Sequence, residues 1–122
     1  MNWSSRRLHR GDEFRAVTRG GTRSARSHVV VHLNLLGQEQ DAARVGFVVS
    51  KKIGNAVVRN RVTRRLREIV RPRLVELPPG TAVVVRSLPG IDQVPFAQLE
   101  AEVDSALGSA VTKLERRVQA AR

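Results

Sequence analysis

The chain has 122 residues, no cysteine, and 22 Lys and Arg against 11 Asp and Glu, for a net charge of +11. This length suits one domain with its own core, and the missing cysteines exclude a disulfide framework, a thiolate metal site and a thiol nucleophile. No apolar run approaches a membrane span and the first residues lack a signal-peptide core, so a soluble, cytoplasmic protein is expected. The charge points to nucleic acid or an anionic surface as partner.

Met1 to Arg7 is polar, basic and poor in apolar anchors, and reads as a mobile arm. Trp3 within it is a possible stacking group or an idle terminal aromatic. Arg10 to Arg19 reads as a short helix, with Asp12 and Glu13 in its first turn and Phe14 and Val17 on one face. Gly20 and Gly21 end it, and Thr22 to Ser27, small and basic, reads as loop.

His28 to Leu35 alternates, placing Val29, Val31, Leu33 and Leu35 on one face and His28, Val30, His32 and Asn34 on the other. After a polar connection, Arg44 to Lys51 repeats the pattern with Val45, Phe47 and Val49 against Gly46, Val48 and Ser50. The two runs predict an antiparallel hairpin with one dry face. Its second face is either an RNA platform or a solvated outer surface.

Asn55 is placed to cap a helix in which Val58, Val62, Leu66, Ile69 and Val70 recur at three- and four-residue steps. At about 100° per residue, Arg64, Arg67 and Arg71 project away from that stripe. Arg61 and Arg65 flank it on one side and Arg59 on the other. Lys51 and Lys52 extend the positive surface to the helix entrance. A merely solvated face would mix signs, yet Glu68 is the single acid between Val57 and Arg71. Arginine also pairs bidentately with phosphate, which lysine cannot do.

Pro72 predicts the end or a kink of this helix. Pro78, Pro79 and Gly80 form a loop, Thr81 to Arg86 a buried third strand, and Leu88 to Val94 a second loop. Pro95 opens a last helix that keeps apolar spacing from Phe96 to Val118. Glu100, Glu102, Asp104 and Glu115 make it the least basic element, suited to packing. The order is helix, strand, strand, helix, strand, helix. It predicts an α+β two-layer sandwich over residues 1–122, with helices on one face of a small sheet. His9, His28 and His32 lack the carboxylate spacing of a metal site or a nucleophile pair, so no catalytic or metal-ligating residue is assigned.

The stretch SKKIGNAVVRNRVTRRLRE, with its triplet Arg59, Asn60 and Arg61, resembles the signature of the bacterial ribonuclease P protein component. The likeness extends more weakly to Leu8 through Val17 and to the later strand and helix. It implies a left-handed strand-helix-strand crossover, in a fold shared with a ribosomal protein domain. It also implies a subunit of a ribonucleoprotein endoribonuclease whose large RNA carries the active site. That holoenzyme needs magnesium; the protein itself would hold no cofactor and no small-molecule substrate.

Under this resemblance the partners are the catalytic RNA and the 5′ leader of precursor transfer RNA. RNA binding would fall to Lys51, Lys52, Arg59, Asn60, Arg61, Arg64, Arg65, Arg67 and Arg71. Phe14, Val17, Thr18, Val30, His32 and Val48 would line the leader cleft, although apolar spacing alone would equally make Phe14 core. Thr18 and His32 occupy positions that are often aromatic in the family, which shifts the expected balance from stacking toward phosphate contacts. The competing readings are a ribosomal or generic RNA-binding protein, a DNA-binding protein and, last, an autonomous nuclease.

Overall fold

Valine-rich runs build a four-stranded sheet whose two inner strands are buried on both faces. The computed structural model describes residues 6–38 and 40–121. Helix α1 (Gly11–Gly20) is followed by β1 (Thr22–Ala25), β2 (Val29–Leu35) and β3 (Arg44–Val48). Then come α2 (Ala56–Leu74), β4 (Thr81–Ser87) and α3 (Phe96–Ala120), with short 3₁₀ turns at Lys51–Ile53 and Ile91–Gln93. The strand order is β1-β2-β4-β3. The α+β class is as expected, but three features of the arrangement differ.

First, β2 and β3 are not a hairpin. Strand β4 lies between them, antiparallel to β2 and parallel to β3, with α2 as the crossover. Ala82 through Val85 are all buried, Val83 and Val85 on one face and Ala82 and Val84 on the other. A strand apolar on both faces gains most where both are covered, which is the centre.

Second, the segment expected to be loop contains β1, paired with β2 from Thr22 opposite Leu33 to Ala25 opposite Val30. Its inward residues are Thr22 and Ser24, so apolar alternation could not announce it. Thr22 Oγ1 instead donates to Ala110 O of α3 at 2.9 Å.

Third, α2 and α3 share one face of the sheet, whereas α1 lies on the other. Val29, Val31, Leu33, Val45, Val83 and Val85 pack against Leu66, Ile69, Leu99, Val103 and Ala106 in the main core. On the opposite face Val17 and Leu8 pack on Ala82 and Val84. Asn34 Nδ2 donates to Ala16 O at 3.0 Å, fixing α1 over the end of β2.

Pro72 does not end α2 at Arg71; the helix continues to Leu74. Leu74 is buried, and Arg73 donates to Ile69 O and pairs with Glu100 (3.3 Å) and Asp104 on α3. Tertiary anchoring thus holds a last turn that the proline would otherwise disfavour. Pro95 is the cap residue before α3 rather than its first helical position. Leu35, expected on the dry face, is 43% exposed at the strand end.

Residues 1–5 of the expected arm, Trp3 included, lie outside the described residues. Its last two residues are tethered: Arg6 Nη1 donates to Ala43 O at 2.8 Å, and Arg7 bridges Val45 in parallel.

Candidate nucleic-acid interface

Local rules make the arginine helix. Asn55 Oδ1 accepts from Val58 N at 3.0 Å, capping α2 as its sequence predicts. Val62, Leu66, Ile69, Val70 and Leu74 are buried. Lys51 and Lys52 stand exposed in the 3₁₀ turn that leads in, as do Asn60, Arg61, Arg64 and Arg71 along the helix.

The other arginines are not equivalent. Arg65 Nη2 donates to Val94 O at 2.8 Å and its guanidinium lies 6.0 Å from the Phe96 ring centroid, tying α2 to the start of α3. Arg67 differs from the expected placement beside Arg64 and Arg71. It is half-buried and turned, with Arg59 and Thr63, toward β3.

There the molecule opens into a groove of about 230 Å³ between α2, the edge of β3, α1 and the Arg7–Leu8 segment. Arg7, Arg59, Asn60, Thr63 and Arg67 supply its polar wall, and Phe14 and Phe47 its apolar one. Arg59 Nε is buried and makes no hydrogen bond. Phe14 sits over Gly46: a Cβ on that glycine would lie 2.3 Å from Phe14 Cζ. Thr18 Oγ1 donates to Phe14 O at 3.0 Å.

The start of α1 is held by Glu13, which pairs with Arg44 at 2.7 Å and accepts from Arg10 N. Partial burial raises the Glu13 carboxyl, but the Arg44 hydrogen bond and charge outweigh this and leave it below its ordinary value.

Of the residues expected in a leader cleft, Phe14 lines the groove, and Thr18 and Val48 are half-buried. Val17, Val30 and His32 are not accessible. Val17 belongs to the core under α1, because α1 packs closely on β2 and β4. His32 is 3% exposed and neither ring nitrogen has a hydrogen-bond partner. Burial, then the charges of Arg86 and Arg23, push its pKa below the ordinary value, so the ring is neutral at physiological pH.

Sequence reasoning missed Arg7, Phe47 and Thr63 in the groove. Phe47 belongs to the alternation that faces the core, and nothing local shows that β3 is an edge strand.

Comparison with known proteins decides what this helix and groove belong to. A family model for ribonuclease P matches residues 3–111. The chain belongs to the ribonuclease P protein family. It is similar to the ribonuclease P protein component of Streptomyces griseus, 47% identical over 108 residues covering 83% of this chain and 88% of that protein. The Salinispora tropica component is 43% identical, covering 96% of this chain and 98% of its own.

Among solved structures, the Staphylococcus aureus RNase P protein superposes with a TM-score of 0.76 at 26% identity, covering 86% of this chain and 94% of that one. The Thermotoga maritima RNase P protein gives 0.71 at 26% identity, covering 87% and 96%. The ribonuclease P family assignment therefore rests on sequence and fold alike. Among the described residues no helix is long and apolar enough to cross a membrane.

Proposed function

We propose that this chain is the protein subunit of a ribonuclease P holoenzyme. It binds the catalytic RNA through the exposed side of α2 and grips the 5′ leader of precursor transfer RNA in the groove beside β3. By doing so it assists cleavage that releases the leader and leaves the mature 5′ end. The observation that carries this reading is the groove itself. It sets Arg59, Asn60 and Arg67 of the arginine helix opposite the Phe14 ring, within one cavity open to solvent. Guanidinium groups fix phosphates, and an aromatic face accepts an unstacked base, so a single strand fits where a duplex does not.

The protein's residues bind and orient; bond cleavage is the work of the RNA and its magnesium ions. Among the described residues no three His, Asp or Glu side chains gather to hold a metal. Arg61 and Arg64, exposed on α2, would engage backbone phosphates of the folded RNA, with Lys51 and Lys52 continuing that surface.

The test mixes purified protein with transcribed catalytic RNA and precursor transfer RNA at low magnesium. Faithful 5′ cleavage is expected only with both components present. Equal affinity for RNAs with and without a leader, and no gain in cleavage, would instead mark a general RNA-binding protein of the same fold.

A further inference from the structure

Beyond the C-terminal end of α2 the molecule carries a surface of a different kind. Where that end meets the middle of α3, a groove of about 330 Å³ is floored by Leu77, Pro78, Leu107 and Val111. It runs into a second hollow of about 260 Å³, floored by Leu35, Leu114 and Val118, and both include Pro78 and Glu115. Together they follow α3 from Asp104 to Gln119, about 22 Å at 1.5 Å per residue. The exposure of Leu35, out of keeping with its place on the apolar face of β2, falls within this groove.

Two observations say what the groove takes. Its walls are acidic, in a chain whose net charge is +11. Glu76 after α2 and Glu115 on α3 line it, both exposed and, among the described residues, without an ion pair. Among the described residues Arg73 is the only cation in the lining, and it is already shared between Glu100 and Asp104. Lys113 and Arg117 of α3 turn to the β1 side, donating to Arg23 O and Gly20 O.

The second observation is Gly108, in the middle of the 25-residue α3 and exposed in the groove wall. Glycine is less stable there than alanine, yet a Cβ would meet nothing within 4 Å. Packing within the fold does not require the glycine. A partner's backbone does benefit from it, because helices approach more closely where the contact residue is small.

We propose that this groove docks an amphipathic helix of a basic protein, with apolar side chains on the Leu77, Val111 and Leu114 floor and Lys or Arg side chains on Glu76 and Glu115. The length suits about four helical turns. RNA does not fit, since carboxylates on both walls repel phosphates. Nor does a second copy of this chain offer such a helix: Val62, Leu66, Ile69 and Val70 of its arginine helix are buried in its own core. Arg61 stands about 18 Å from Arg73 along the axis of α2, so the groove and the RNA-facing side can be occupied together. The docking site stands apart from the leader reading and does not depend on it.

The experiment titrates the isotope-labelled full chain with a synthetic helix of leucine and lysine, about 15 residues long, its leucines on one face. A scrambled peptide of the same composition and one with glutamate in place of lysine serve as controls. Amide shifts should be confined to residues 73–77 and 104–119, weaken as salt rises, and be missing with both controls. Glu76→Lys with Glu115→Lys should lower affinity by about tenfold or more, since two attractions become repulsions. Gly108→Gln should raise the melting temperature while weakening the peptide, opposite signs that a structural role for the glycine would not produce. Holoenzyme cleavage of precursor transfer RNA should be unchanged in Gly108→Gln.

No binding of the leucine–lysine helix, or equal binding of the acidic one, overturns the proposal. Groove shifts on adding the catalytic RNA, or reduced cleavage by Gly108→Gln, assign the surface to RNA and overturn it too. A concentration-dependent dimer in sedimentation that Gly108→Gln dissolves assigns the groove to a second copy, with the same consequence.

Discussion

Phe14 is seated by a glycine. Its ring occupies the space that a Cβ on Gly46 would need, 2.3 Å from Cζ and 2.5 Å from Cε1. The contact joins α1 to strand β3 and sets one wall of the groove.

Gly46→Ala should therefore destabilise the protein by about 1–3 kcal/mol through overpacking. In a Phe14→Ala background the same change should be neutral or favourable, since alanine suits a strand better than glycine by about 0.5–1 kcal/mol. Urea melts of the four proteins give the coupling energy. Simple additivity would mean the ring does not depend on the glycine.

Phe14→Ala alone separates a stacking group from a core residue. Its half-burial allows both roles. Affinity for substrates with a leader should fall by roughly 1–3 kcal/mol, while affinity for the catalytic RNA and for mature transfer RNA stays near the parent value. Equal losses across all RNAs, with a lowered melting temperature, would return Phe14 to the core.

Binding to the catalytic RNA should depend steeply on salt. With ~6 phosphates engaged by α2 and its entrance turn, the log–log slope should be roughly −4 to −5. Arg61→Ala with Arg64→Ala should flatten it by about 1.5–2 and leave stability unchanged, because both side chains are exposed. A parent slope near −1 contradicts the polyanion surface.

The pH dependence of stability should report Glu102. Its carboxylate accepts from His28 N at 2.9 Å and faces His28 Nδ1 at 2.8 Å, holding the β1–β2 turn to α3. Burial raises its pKa, but the hydrogen bonds and charge of His28 more than offset this, leaving it below the ordinary 4.5. A carboxylate lowered in the folded state contributes fully above its unfolded value, and the contribution is lost as pH falls through the folded one. Glu102→Gln should cost about 1.5–3 kcal/mol at neutral pH. That gap should close on acidification below 4.5. Denaturant melts across this range check it; a gap constant into acid would assign the loss to packing instead.

What the sequence determined by itself are the features set within a turn or two of chain. Asn55 caps α2 because its side chain meets an amide three residues on, and the apolar stripe of α2 follows from helical spacing. The alternation in β2 and β3 assigned the faces of Val31, Leu33, Val45 and His32 correctly for the same reason. The motif singled out Arg59 and Asn60, and the weaker likeness around the first helix singled out Phe14; all three line the groove.

The tertiary structure decided which segments became neighbours. Only the docking of α1 buried Val17 and His32 and brought Phe14 to Gly46, and only the insertion of β4 made β3 an edge where Arg59 and Arg67 meet Phe47. Helical spacing gives an angle around an axis but not what lies at that angle. Partners far apart in the chain are selected by the area they bury together, a property no local stretch contains.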